Sequence, residues 1–144
     1  MRTSSQADLA VRLRLAIART ARRLRQEAER ELSPSQAAAL ATIDRHGPLT
    51  PSELAARERI QRPTATRVIA RLEEAGLVDR ARDPQDGRSC LVALTPGGRE
   101  LLARIRGRKN AYLSRRLREL DPDERAVLDR AAAILERLLE GDRA

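Results

Sequence analysis

The sequence predicts a mainly α-helical fold that carries one small β-hairpin. Apolar residues recur at helical spacing over most of the chain. Helix starts with a Ser, Thr or Asp cap and a following proline occur four times. Aromatic residues make up only 1% of the sequence, so the core consists of Ala, Leu, Val and Ile. Such a core suits close-packed helices better than a large sheet.

Six helices are predicted in chain order. Four of them begin at the capped prolines Pro34, Pro51, Pro96 and Pro122. The other two are the first and the fourth, which we predict from apolar positions at helical spacing. These positions are Leu9, Leu13, Ile17, Ala21, Leu24 and Ala28 in the first helix, and Val68, Ile69, Leu72 and Ala75 in the fourth.

One stretch breaks the helical pattern, between the fourth and fifth helices. Residues 77–80 and 90–94 are predicted strands, and residues 83–87 between them have the composition of a turn. A short third helix followed closely by a fourth matches a helix-turn-helix in length, which alone is a weak signal. The hairpin directly after it makes a winged helix-turn-helix the better interpretation, because such a ribbon fits the minor groove beside the helix.

The charge of the chain favours a polyanionic partner. The formal net charge is +8 in 144 residues, and Lys109 is the only lysine among 29 basic residues. This charge is uneven, since residues 45–90 hold nine Arg and seven acidic residues, whereas residues 91–119 hold eight basic and two acidic residues. The positive charge therefore supports DNA binding but does not indicate which segment contacts the DNA.

Several classes of protein are disfavoured. With one cysteine, Cys90, and one histidine, we expect neither an intrachain disulfide nor a zinc site. No catalytic motif is present, so we expect no enzyme, no catalytic residue and no cofactor. Without a long apolar run or signal region, we expect a soluble cytoplasmic protein with no membrane partner.

Specific residues resemble a known family. The segment from Arg67 to Arg80, with its Glu-Glu-Ala-Gly-Leu-Val turn, is similar to the MarR family of bacterial transcriptional regulators. So are the Thr66-Arg67 pair, the Asp86-Gly87-Arg88 wing and the stretch from Leu94 to Gly98. The resemblance covers essentially the whole chain. It implies a regulator, expected to be a repressor, that binds a pseudo-palindromic double-stranded DNA operator.

The resemblance also implies a homodimer in which the first, fifth and sixth helices interlock. Residues 1–31 and 99–144 would form the helical dimerisation region, and residues 32–98 the DNA-binding region of one intertwined domain. Apolar stripes too long for a small monomer core support this interpretation. The alternative is that these helices pack only on each other. The expected interface residues are Leu9, Leu13, Ile17, Leu117, Leu135, Leu138 and Leu139.

The predicted DNA contacts begin with the fourth helix, whose N-terminal turns would face base edges. We expect Arg67 to contact guanine or phosphate, Thr64 and Thr66 to contact bases or phosphate, and Pro63 to contact a thymine methyl. Arg71 suits a phosphate, or equally a solvated face beside Glu74. The first turn of this helix also contains Arg62, and a solvated helix face is the alternative for each of these arginines.

The wing and the third helix complete the predicted interface. Arg88 matches the family's minor-groove arginine, and Arg82 is a second phosphate candidate. Asp86 is included as the carboxylate that orients the wing, since phosphate would repel it. Ser52, at the start of the third helix, is a phosphate candidate beside the capping residue Thr50.

The signal that the protein senses stays open. Relatives release DNA on binding small aromatic or anionic effectors, but Tyr112 is the only aromatic residue. The basic residues of the fifth helix either line an anion-binding cleft between subunits or form a solvated face, which we favour; they are Arg104, Arg106, Arg108, Lys109, Arg115, Arg116 and Arg118.

For Cys90 a small apolar role is favoured over a redox switch. Two other functions compete: an architectural DNA-binding protein with little sequence specificity, and a helical protein-interaction module.

Overall fold

The computed structural model describes residues 5–142 and confirms the predicted fold class. Within these residues the chain forms six helices and a two-stranded antiparallel hairpin. The elements are α1 (Gln6–Ala28), α2 (Pro34–His46), α3 (Pro51–Glu58), α4 (Arg62–Glu74), β1 (Val78–Arg82), β2 (Cys90–Leu94), α5 (Pro96–Arg118) and α6 (Pro122–Gly141).

The helix starts follow from local capping chemistry, as predicted. Ser33 and Asp121 each form a reciprocal capping box with the residue three positions later. Thr50 forms only half of one, because its hydroxyl accepts a hydrogen bond from Glu53 N at 3.1 Å and no return bond from the Glu53 side chain accompanies it. Thr95 Oγ1 accepts from Gly98 N at 3.1 Å at the start of α5. These caps satisfy helix N–H groups that lack a partner within the helix.

The first strand lies slightly later than predicted. It runs from Val78 to Arg82 instead of over residues 77–80, and it pairs Arg82 with Cys90 at its far end. Leu77 is excluded because its backbone N donates to Leu72 O at 2.9 Å, closing the turn after α4. Gly76 permits that turn with a φ of 74°, a conformation that other residues rarely adopt.

The hydrophobic core joins α2, α3, α4, α5 and the hairpin. Its largest fully buried side chains are Leu40, Leu54, Ile69, Leu72, Val78 and Val92. The segment between α2 and α3 also joins the hairpin, because Leu49 and Val92 exchange backbone hydrogen bonds of 3.0 and 2.7 Å. The wing is therefore tied to the helices by backbone pairing as well as by packing.

The chain divides into two compact units, Met1–Lys109 and Asn110–Ala144. The first contains the core just described. The second contains α6, which has no buried residue. No described helix combines the length and apolarity needed to cross a membrane. The division into regions 1–31 with 99–144 and 32–98 stays a prediction.

Candidate nucleic-acid interface

Helices α3 and α4 are joined by a tight turn that defines the helix-turn-helix. Arg59 makes this turn with a φ of 54° and a ψ of 43°, the left-handed conformation. Ile60 N then donates to Ala55 O at 3.0 Å. Arg59 was not singled out from the sequence, since a left-handed residue there is usually predicted from a glycine.

Helix α4 buries one face and exposes the other. Ala65, Val68, Ile69 and Leu72 are buried, so the helix is held firmly against the core. Thr66, Arg67 and Arg71 are exposed on the opposite face. This exposed face contains predicted DNA contacts, and we call α4 the recognition helix.

The N-terminal turns of α4 hold their polar side chains in local contacts. Thr66 Oγ1 donates to Arg62 O at 3.0 Å, so its hydroxyl oxygen remains an acceptor for another donor. Arg67 Nη2 donates to Thr64 Oγ1 at 3.4 Å, a long bond that a ligand can displace. Gln61, the N-cap, makes no side-chain capping bond. The first turn therefore offers donors and acceptors at the protein surface.

The wing turn is organised by two aspartates. Asp86 Oδ1 accepts a hydrogen bond from Arg88 N at 3.0 Å, and Asp83 Oδ1 accepts one from Gln85 N at 2.9 Å. The turn is closed by Ser89 N, which donates to Asp86 O at 3.0 Å. Asp86 thus shapes the loop that presents the exposed Arg88 side chain.

A groove of about 370 Å³ lies between the N-terminus of α4 and the wing. Arg62 lines it from α4, and Arg80, Arg82 and Arg88 line it from the wing. Arg80 and Arg82 share a strand face because side chains alternate along a strand. Guanidinium groups on both sides of a groove suit a phosphate backbone. Sequence reasoning missed Arg80, although its spacing of two from Arg82 was the available signal.

A second groove, of about 430 Å³, lies on the other side of the recognition helix. Thr64, Arg67 and Arg71 line it together with the N-terminal residues Ser33 and Gln36 of α2. Arg71 makes no ion pair with Glu74 in the described chain, so its guanidinium is available for a phosphate. Ser52 is exposed at the start of α3 and lines neither groove, and neither does Asp86.

The basic residues of α5 do not all form the solvated face that we favoured. Arg106 binds Asp44 at 2.9 Å, Arg108 binds Glu31 at 2.7 Å, and Lys109 binds Glu29 at 3.0 Å. The acidic partners lie far away in sequence, so helical spacing within α5 did not reveal them.

Two further observations concern Cys90 and metal-ligating side chains. Cys90 is a half-buried free thiol that lines the first groove. Between Ser5 and Asp142, no cluster of three or more His, Cys, Asp or Glu side chains is arranged to hold a metal ion.

Comparison with known proteins agrees with the geometry. A family model described as MarR family matches residues 32–90. An HTH-type transcriptional regulator of Mycobacterium leprae is 42% identical over 137 residues, which cover 94% of this chain and 96% of the relative. A transcriptional regulator structure from Pseudomonas aeruginosa shares 37% identity and a TM-score of 0.83, covering 96% of this chain and 98% of its own. The structure of a MarR family protein from Bacillus stearothermophilus shares 25% identity with this chain and has a TM-score of 0.77. The match covers 97% of this chain and 99% of that protein.

Proposed function

This chain belongs to the MarR family of transcriptional regulators, and from that premise we propose that it represses genes by binding a specific operator as a homodimer. The groove lined by Arg62, Arg80, Arg82 and Arg88 carries the DNA-binding part of the proposal. It joins the recognition helix and the wing into one positively charged concave surface. A phosphate strand that follows this groove directs α4 into the major groove and the wing toward the minor groove.

Sequence specificity would come from two places. Thr64, Thr66 and Arg67 present donors and acceptors from the first turns of α4, which are the turns that meet base edges in helix-turn-helix complexes. Arg88 would enter the minor groove, where A·T-rich sequence narrows the groove and strengthens its negative potential. Pro63, exposed beside them, suits a thymine methyl.

Phosphate contacts would come from the remaining predicted residues. Arg62, Arg71 and Arg82 are exposed and line the two grooves on either side of α4. Ser52 lies at the N-terminus of α3, where a hydroxyl and backbone N–H groups suit an anion.

Exposed apolar side chains support the homodimer. Leu9, Leu13 and Ile17 of α1 expose 48%, 40% and 48% of their surface, and Leu138 and Leu139 of α6 expose 65% and 64%. Leu117 is exposed to 36%, and Leu135 is half-buried. Burying such side chains contributes about 25 cal/mol per Å² of apolar surface removed from water. We therefore propose that a second copy of the chain packs against them. A two-fold dimer binds a pseudo-palindromic site.

The test of specific binding begins with selection of bound fragments from genomic DNA. Affinity for the selected operator is then compared with affinity for a scrambled duplex over a range of salt concentrations. A regulator keeps a ratio of about 10³ or more at fixed salt. Nearly equal affinities with steep salt slopes for both duplexes would indicate an architectural DNA-binding protein instead. A folded dimer that binds neither duplex would indicate a protein-interaction module.

The dimer is tested by sedimentation at micromolar concentration. We expect a dimer for the parent chain, and a shift toward monomer for Leu13→Glu and Leu138→Glu. Ala56→Glu, at an exposed position of α3, is the matched control and should remain dimeric. A monomeric parent chain would refute the homodimer.

We further propose that a small anionic effector releases the DNA. A cleft of about 550 Å³ between α1 and the start of α2 supports this, because Arg22 and Arg25 line it and its acidic lining residue Glu29 is paired with Lys109. No aromatic side chain is among its lining residues, so charge would dominate recognition. Thermal-shift measurements with small carboxylates, compared between the parent chain and Arg22→Gln, test the proposal. Shifts that are absent or equal in both proteins would contradict it.

A further inference from the structure

Three ion pairs connect α5 to α2 and to the connection between α1 and α2. Arg108 holds Glu31 with two parallel hydrogen bonds of 2.7 and 2.8 Å. Arg106 Nη2 lies 2.9 Å from Asp44 Oδ2, and Lys109 Nζ lies 3.0 Å from Glu29 Oε1. These partners are 62 to 80 residues apart in sequence, so each pair is a tertiary contact. We call these three pairs the α5 strap.

Arg108 makes the strongest connection of the strap. Besides Glu31, its Nη1 donates to Ala28 O at 2.9 Å, at the C-terminal end of α1. A guanidinium that binds both carboxylate oxygens and a helix-end carbonyl is held in one geometry. The hydrogen bond from Arg108 lowers the pKa of the Glu31 carboxyl to about 2. One side chain of α5 thus fixes both the end of α1 and the connection to α2.

Burial separates two of the three strap pairs from an ordinary surface ion pair at the C-terminal end of α5, whereas Arg106 of the third pair is 59% exposed. The Arg108 side chain is 28% exposed and the Glu29 side chain only 7% exposed. In the pair of Arg116 with Glu119, both side chains are about 60% exposed. Exposed pairs contribute little, whereas partly buried pairs with fixed geometry are screened less by salt.

Two pairs of the strap lie near the two ends of α2. Glu31 lies two residues before Ser33, the N-cap of α2, and Asp44 lies in its last turn. The buried side chains Leu40 and Ile43 of α2 belong to the same core cluster as Leu54 of α3 and Ile69 of α4. Leu101, Leu102 and Ile105 of α5 belong to this cluster as well, so the strap adds to the packing that orients α2 and the recognition helix relative to α5.

We propose that Arg108 and Lys109, with a smaller contribution from the more exposed Arg106, are positioning residues for operator binding, which hold the connection between α1 and α2 against α5 and so contribute to the orientation of the recognition helix relative to α5. This inference rests on the proposed function. Since α5 is among the helices assigned to the dimer, the strap determines which spacing of half-sites two subunits bind together. Its residues act through α2 without contacting DNA.

The experiment uses charge reversal within the full-length chain. Arg108→Glu and Glu31→Arg are made singly and together, and binding is measured on the selected operator and on operators whose half-sites are moved by one base pair in either direction. Each single reversal should weaken binding to the native spacing by about tenfold and flatten the preference for that spacing. The double reversal recreates the ion pair but not the bond to Ala28 O, because a carboxylate cannot donate a hydrogen bond. It should therefore recover part of the lost affinity and part of the spacing preference relative to either single reversal.

The exposed pair of Arg116 and Glu119, at the C-terminal end of α5 and just beyond it, supplies the matched control. Arg116→Glu, Glu119→Arg and their double variant make the same charge changes and should leave the spacing preference unchanged. Circular dichroism checks that each variant is folded. If Arg108→Glu does not fold, Arg108→Gln is measured in its place, and it should flatten the spacing preference in the same way.

The outcomes are distinguishable. A parent chain that prefers its operator, together with Arg108 variants that keep the native spacing preference, overturns the strap proposal alone. Equal weakening on operator and scrambled DNA by the Arg108 variants also overturns it, since that result reflects charge only. A parent chain without any operator preference contradicts the proposed function itself.

Discussion

Arg80 Nε donates a hydrogen bond to Glu73 Oε2 at 2.9 Å, which joins the first strand of the wing to the recognition helix. Glu73 lies in the last turn of α4, and Arg80 of β1 is also one of the residues that line the first groove. The Arg80 side chain is 34% exposed and the Glu73 side chain is 44% exposed, so the ion pair contributes less than about 1 kcal/mol to the free energy of unfolding. Its main consequence is electrostatic, because Glu73 neutralises one of the groove's four arginines.

Replacing Glu73 with Gln should therefore strengthen DNA binding at low salt. Without the carboxylate, Arg80 can contact a phosphate, and the slope of log affinity against log salt should steepen by about 1. Fluorescence anisotropy over a salt series measures the slope. Glu74→Gln is the control, since Glu74 has no ion pair in the described residues. Equal steepening in both variants would mean that net charge alone is responsible.

Replacing Arg88 with Ala should weaken operator binding by about 1–3 kcal/mol without changing stability. The wing turn should survive, because Asp86 Oδ1 holds the backbone N of residue 88 and not its side chain. The loss should be largest where the wing meets A·T-rich sequence. Arg130→Ala, at an exposed position of α6, is the control for charge. Unchanged affinity at A·T-rich wing positions would remove the minor-groove assignment.

Replacing Arg67 with Ala should cost about 1–3 kcal/mol and relax specificity at one base pair, if its guanidinium contacts a guanine. The long contact with Thr64 is lost at little cost, because the side chains are at the surface. Binding to a panel of single-base operator variants measures the effect. Arg71→Ala serves for comparison and should weaken all sequences alike. A uniform loss for Arg67→Ala as well would make Arg67 a phosphate contact.

Replacing Gly98 with Ala should destabilise the fold by about 1–3 kcal/mol, although alanine is the better helix former. A Cβ at this position would lie 2.2 Å from the backbone oxygen of Leu77, so the start of α5 must shift. Gly97→Ala is the neighbouring control, because its Cβ meets Gly76 O at 3.5 Å, an ordinary contact. Urea unfolding should separate the two variants, and equal stabilities would contradict the close approach.

The stability contributed by Glu31 should depend on pH in a defined window. Arg108 holds the folded-state pKa of Glu31 at about 2, below the usual 4.5. The contribution is therefore complete above about pH 4.5 and is lost as the pH falls toward 2. Urea unfolding of the parent chain and Glu31→Gln should show a difference in unfolding free energy that shrinks over this range. A difference that stays constant down to about pH 2 would argue against the ion pair.

Local signals account for what was predictable about the fold. Helix caps act over three residues, so Ser33, Thr50, Thr95 and Asp121 located four helix starts in advance. The order of helices and hairpin then led to the correct fold class, and the resemblance of specific residues such as the Thr66-Arg67 pair and the Asp86-Gly87-Arg88 wing identified the family. The end of the first strand was missed, because pairing of Arg82 with Cys90 depends on the partner strand.

The candidate site was predictable only in part. Its predicted members come from the motif, and their contacts with DNA stay predictions. The structure adds that Arg62, Arg82 and Arg88 line one groove while Thr64, Arg67 and Arg71 line another. Arg80 was missed because its place in the first groove depends on how the hairpin packs beside α4.

The sequence by itself determined the helices, the hairpin, the family and the candidate DNA-binding residues, because caps, periodicity and short motifs act between near neighbours. Only the tertiary structure decided which charges are neutralised and which remain for DNA. Glu73 pairs with Arg80, and Glu31 pairs with Arg108 across 77 residues, whereas Arg88 is left exposed. Ion pairs between distant segments depend on packing, and no spacing within one helix encodes them.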